Sequence, residues 1–135
     1  MSNITQVVNT DKNMTTLKRG MHASDLDQLL SSTGPYTLFA PSDMAFGKLD
    51  TTVIESLLKA ENKANLTEFM NNHILAGKVS FTDLKNGEKL KTLNGKEVTV
   101  EIKDGKTFID NSAIQSRDVK ATNGVIHSLD TVLKN

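Results

Sequence analysis

Residues 36–46 read Tyr-Thr-Leu-Phe-Ala-Pro-Ser-Asp-Met-Ala-Phe, and this stretch decides more of the fold than any other. Tyr36 to Ala40 is a short apolar run with β-prone side chains, suited to a buried strand. Pro41 has no N–H to give to a ladder and stops it. Ser42 or Asp43 then offers a side-chain oxygen to the free N–H groups of a helix carrying Met44, Phe46 and Leu49. The segment reads as a strand-to-helix junction.

Upstream of it the spacing is helical. Ile4, Val7 and Val8 share one face, and Met14, Leu17 and Met21 lie on a second stretch that Gly20 weakens or ends. Asp25 stands before Leu26, Leu29 and Leu30 as a cap for a further short helix, and Gly34-Pro35 breaks the chain. Downstream, Thr51 or Thr52 opens a helix bearing Val53, Ile54, Leu57 and Leu58, and another begins near Asn65 and buries Leu66, Phe69 and Met70. The four methionines of these helices, Met14, Met21, Met44 and Met70, read as core filler.

From Glu88 onward the period changes to two. Val98, Val100 and Ile102 alternate with Thr99, Glu101 and Lys103, which sends one face to the core and the other to water. Asn94-Gly95 and Asp104-Gly105 accept the positive φ values of two-residue hairpin turns, so a three-stranded meander is expected across residues 89–110. Further β-prone runs lie around Ile114 and from Gly124 to Leu133. Helices first and strands last predict an α+β fold, not a doubly wound parallel sheet. With 135 residues and neither repeat nor linker, one domain spanning 1–135 is expected.

Composition removes several function classes. Lys plus Arg (16) equals Asp plus Glu (16), and the charges are interspersed, so the chain carries no footprint for nucleic acid or an anionic membrane surface. Aromatic residues are few and not interleaved with basic ones. No apolar run approaches the roughly 18 residues that span a bilayer, so no membrane-spanning segment is expected, and the first residues lack the pattern of a signal peptide. Cysteine is absent, which excludes disulfides and thiolate chemistry. Asn3, Asn13 and Asn65 stand in N-x-S/T triplets, at a frequency that chance explains in a chain rich in Ser and Thr.

Catalytic constellations are weak. Ser42, His127 and one of Asp43 or Asp130 form the trial set for a hydrolase, but Ser42 sits in Ala-Pro-Ser-Asp, not in a nucleophile elbow, and no glycine-rich segment offers an oxyanion hole. Ser42 reads better as a helix cap, and His127 as a neutral imidazole bonded within an apolar strand. His22, His73 and His127 are scattered without ligand spacing, so no metal is assigned. Gly77, Gly87, Gly95 and Gly105 punctuate turns without opening a phosphate loop, so no cofactor is assigned either.

Thr37–Phe46 (TLFAPSDMAF) resembles the first signature segment of the fasciclin domain family, and Ala121–Asp130 (ATNGVIHSLD) resembles the second. Asn72–Val79 (NHILAGKV) is similar to the central stretch of the same family. The resemblance covers essentially the whole chain. It implies a twisted β-sandwich or wedge packed against a cluster of short α-helices. It also implies a non-enzymatic adhesion or interaction module, secreted, periplasmic or at the cell surface, whose partner is a cell-surface or matrix protein or a polysaccharide.

In adhesive animal members an Asp-Ile pair before the second signature is associated with integrin binding, and Asp118-Val119 stands at that place here. Asn72-His73, followed by Ile74, stands where those members carry a Tyr-His pair, so the aromatic anchor is missing. The resemblance thus nominates Asp118, Val119, His73 and Ile74 as partner-binding residues. Two plainer readings stay open: Asp118 as an exposed turn residue after a strand, and His73 as a buried, hydrogen-bonded side chain at a helix end. A small-molecule or lipid carrier, with a pocket between helices and sheet, is the alternative function.

Overall fold

The computed structural model describes residues 2–116 and 118–133. Helices α1 (Ile4–Thr10), α2 (Thr15–Ser24) and α3 (Leu26–Leu29) come first. Strand β1 (Tyr36–Pro41) leads into α4 (Asp43–Gly47), α5 (Thr51–Leu57) and α6 (Lys63–Asn71), and β2 (Ile74–Ala76) follows. The remainder is β3 (Lys89–Lys91), β4 (Glu97–Lys103), β5 (Lys106–Ile109), β6 (Ser112–Ala113), β7 (Val119–Ala121) and β8 (Gly124–Leu129). The α+β class read from the sequence is the one found.

Two four-stranded sheets form, ordered β2-β1-β8-β7 and β3-β4-β5-β6. In the first, β1 and β8 run parallel in unbroken register from Tyr36 opposite Gly124 to Pro41 opposite Leu129. The two segments that carry the family resemblance are therefore hydrogen-bonded neighbours at the centre of one sheet. Both are buried on both faces, which explains why neither shows a polar–apolar alternation. Leu38, Ala40, Ile74 and Ile126 face the helices, where they meet Ile4, Leu17, Met21 and Met70. Phe39, Leu75 and Leu129 face the second sheet and pack with Val98, Val100 and Ile109. Removing a Leu or Phe of this kind from water contributes about 2 kcal/mol.

Glycine allows the close approach that the parallel pair needs. A Cβ on Gly124 would lie 1.8 Å from the Tyr36 carbonyl oxygen, so no other residue fits there. Asn123, just before it, is buried and ties three parts of the chain together. Its Oδ1 accepts the Ile4 N–H at 3.0 Å, and its Nδ2 donates to the carbonyls of Leu30 and Ser32 at 2.7 Å each.

Several local expectations are corrected. Helix α2 runs through Gly20, which is buried because the absent side chain leaves room for Met70. Asp25 does not cap with its carboxylate: it adopts the left-handed conformation (φ 62°) between α2 and α3 and pairs with Lys63. Asp50, not Thr51 or Thr52, caps α5 by accepting the Thr52 N–H at 3.0 Å. The β3–β4 connection takes five residues, Thr92 to Lys96, with only Gly95 at positive φ, whereas Asp104 and Gly105 both take positive φ as the two-residue turn requires. Ile102 is 41% exposed and takes no part in the core between the sheets, and Phe69 is only half-buried.

Candidate functional site

Asp118 is built into the fold by its backbone conformation and two hydrogen bonds. Its φ is 53°, its N–H donates to Nδ1 of His127 at 3.1 Å, and its carboxylate accepts the Phe81 N–H at 2.9 Å. His127, fully buried and stacked on Phe39 at 5.8 Å, gives its Nε2–H to the Val79 carbonyl at 2.8 Å. Asp118 is thus a half-buried splice, placed before strand β7 and not after a strand. Val119, the next residue, opens the edge strand of the first sheet and is 36% exposed.

His73 and Ile74 lie elsewhere. They sit at the opposite edge of that sheet, where His73 precedes and Ile74 opens β2, and both are buried. Ile74 stands opposite Leu38. The His73 Nδ1–H donates to the Phe69 carbonyl at 3.0 Å, while Nε2 accepts the Leu133 N–H at 2.9 Å. Burial pushes its pKa down to about 4, although the bond to Phe69 favours the proton. Neither residue presents atoms to a partner in this arrangement, so the four nominated residues do not converge.

The trial hydrolase set is not assembled. The Ser42 hydroxyl accepts the Ala45 N–H and faces the Leu129 carbonyl, both at 3.3 Å, which makes it the cap of α4. Both His127 nitrogens are engaged as described, and Asp130 accepts the Ala113 N–H at 2.9 Å. Asp43 serves a different helix from its own. It takes the Thr16 N–H at 2.9 Å and the Thr15 hydroxyl at 2.8 Å, so it caps α2, whose own N-cap residue Met14 makes no side-chain bond. Burial works to raise the Asp43 pKa, but the bonds from Thr16 and Thr15 outweigh it and hold the group below the usual carboxylate range.

Met44, assigned to the core from sequence, is 63% exposed, in contrast to Met14, Met21 and Met70 at 5, 1 and 1%. The five-residue α4 has one inward side, and Ala45 and Phe46 occupy it. Met44 and Val119 stand at a cleft of about 280 Å³ whose walls include Asn13, Ser42, Gln115 and Ser128. Both family segments contribute to it. Sequence periodicity gave no signal for this cleft, because its walls come from four separate stretches.

Among the described residues the place expected for a pocket between helices and sheet is filled, since Leu38, Ala40 and Ile126 are packed there to 0% exposure. An apolar cavity opens instead within the helical layer, among Phe46, Ile54, Leu57, Leu66 and Phe69. It encloses about 10 Å³, roughly the room of one water. Among the described residues no helix is long and apolar enough to cross a membrane, and no His, Asp and Glu side chains gather as a metal site.

Comparison with known proteins agrees with this architecture. The Fasciclin domain family model matches residues 12–135. The chain is 38% identical over 130 residues to protein sll1483 of Synechocystis sp., covering 96% of this chain and 72% of that one. It is 35% identical over 133 residues to transforming growth factor-beta-induced protein ig-h3 of Sus scrofa, where it covers 98% of this chain and 19% of the longer protein. In structure it superposes with a TM-score of 0.88 on a FAS1 domain pair from the insect cell adhesion molecule Fasciclin I, at 20% identity, covering 99% of this chain and 51% of that one. The chain belongs to the fasciclin domain family. Domains of this family occur in adhesion proteins and are generally non-enzymatic.

Proposed function

We infer that this chain acts as one non-enzymatic adhesion domain outside the cell membrane, secreted, periplasmic or surface-bound, holding a protein or polysaccharide partner. The contact is centred on Val119 and Met44, with the Asp118 carboxylate at its border. The observation that carries this reading is the exposure of two large apolar side chains at one cleft, beside the sheet edge and between the family segments. Exposed apolar residues grouped at a concave, polar-walled site suit partner binding better than solvent contact. The area is small, so each contact is weak and attachment gains from many copies.

Beads coated with the folded domain test it on a panel of cells, matrix proteins and polysaccharides. Wild type is retained above an unrelated domain, and Val119→Asp with Met44→Asp abolishes the excess. Retention equal to the unrelated domain refutes the adhesive reading; retention unchanged in the double variant moves the contact to another face.

A further inference from the structure

We propose that Met44 is a modification site: a methionine whose sulfoxide is latched by the side-chain amide of Gln115, turning the apolar rim of the cleft polar. The site deepens the adhesive reading above and rests on it for its consequence, though not for its chemistry. Thioether oxidation needs access of oxidant to sulfur, and exposure separates Met44 (63%) from Met14, Met21 and Met70 (5, 1 and 1%) among the described methionines. The other three belong to the buried core cluster around the helices, Met14 at the floor of the same cleft but only 5% exposed.

A second observation concerns what waits beside the sulfur. Gln115 Nε2 lies 4.0 Å from Met44 Sδ, and the same amide's Oε1 is 3.5 Å from the Ser42 hydroxyl. A thioether is a weak acceptor, and the contact is long. A sulfoxide oxygen projects about 1.5 Å from sulfur and is a strong acceptor, so it fills the distance to an N–H already aimed at it. With hydrogen peroxide as the oxidant, a sulfur lone pair attacks one peroxide oxygen and the O–O bond breaks. That oxygen is now bonded to sulfur as a hydroxyl, whose proton passes to the departing hydroxide to give water, and sulfur has lost the two electrons that peroxide gains. The product replaces a flexible apolar side chain by a polar one held to Gln115, at the rim where Val119 supplies the other apolar contact.

Limited treatment with dilute hydrogen peroxide, followed by peptide mass spectrometry and NMR of side-chain amides, decides the matter. Met44 sulfoxide is expected at least roughly tenfold ahead of sulfoxide at Met14, Met21 or Met70, with the Gln115 amide signals shifting as it forms. In Met44→Leu those signals stay fixed under the same treatment. Oxidation of Met44 no faster than of the buried methionines, or Gln115 signals that do not move in wild type, overturns the proposal. On beads, oxidation removes wild-type retention; retention unchanged by oxidation overturns the switching role. If untreated wild-type beads are not retained, the adhesive reading fails by itself, and the mass and NMR results still judge the site.

Discussion

Leu133 donates its backbone N–H to Nε2 of His73 at 2.9 Å, so the last described residue is fastened to the end of α6 by an acceptor that exists only while the imidazole is neutral. The folded pKa of His73 is about 4 against 6.5 for the free side chain. A depressed value means that the unfolded chain takes up the proton first as pH falls. Stability is therefore complete above pH 6.5, declines through the window between these values, and has lost about 3 kcal/mol at its lower end. Urea unfolding at a series of pH values from 7.5 to 4 checks this. His73→Leu is less stable at pH 7.5, because Leu133 loses its acceptor, and shows a flatter pH dependence over that window.

Asp118 has to be tested by a substitution that keeps the backbone in place. Asn also tolerates left-handed φ and retains an oxygen for the Phe81 N–H, so Asp118→Asn is expected to fold with a loss under about 1 kcal/mol. Asp118→Ala combines strain with an orphaned N–H and loses about 2 kcal/mol. Bead retention of the Asn variant reports on the carboxylate's charge alone, whereas a loss seen only with Ala reports on folding.

Capping across helices has a measurable weight. Asp43→Ala removes the acceptor for Thr16 and Thr15 and should cost about 1–2 kcal/mol, with the loss localised to α2 in amide exchange. Ser42→Ala, at the cap of α4 itself, costs about 1 kcal/mol and leaves α2 protected. Equal effects of the two variants on α2 would show that the junction acts as one unit instead.

Asn123 makes a sharper case. Asn123→Ala breaks one accepted and two donated bonds in a buried place, for a loss of roughly 3 kcal/mol or more. Asn123→Asp is no milder, because a carboxylate oxygen then faces the carbonyls of Leu30 and Ser32. Thermal unfolding of both variants beside wild type gives the comparison.

Local sequence signals carried the elements well and their partners poorly. Pro41 and Ser42 marked the strand-to-helix junction because each acts through its own backbone neighbourhood. Asp43 and Asp25 were misjudged in different ways for one reason: their carboxylates reach residues far along the chain, Thr16 and Lys63, which no short-range pattern reveals. Ile102 follows the alternation of Val98 and Val100 yet is exposed, since alternation tells which face a residue takes and not whether anything covers it. Of the candidate site, Val119 was legible through family resemblance. Met44 was not, because an apolar residue in a five-residue helix reads the same whether it points inward or out. The parallel union of β1 and β8 was also beyond periodicity, for two buried apolar runs carry no record of direction or register.

That union sets a condition on how the molecule comes into being during synthesis. Tyr36 is opposite Gly124, so the middle of the first sheet stays incomplete until residues 124–129 have emerged. Leu38, Ala40 and the helices packed on them lack a floor until then. Contacts between such distant segments slow folding to the range of milliseconds to seconds. The domain's first strand thus waits for its last, and the central sheet closes only when β8 is laid down beside β1.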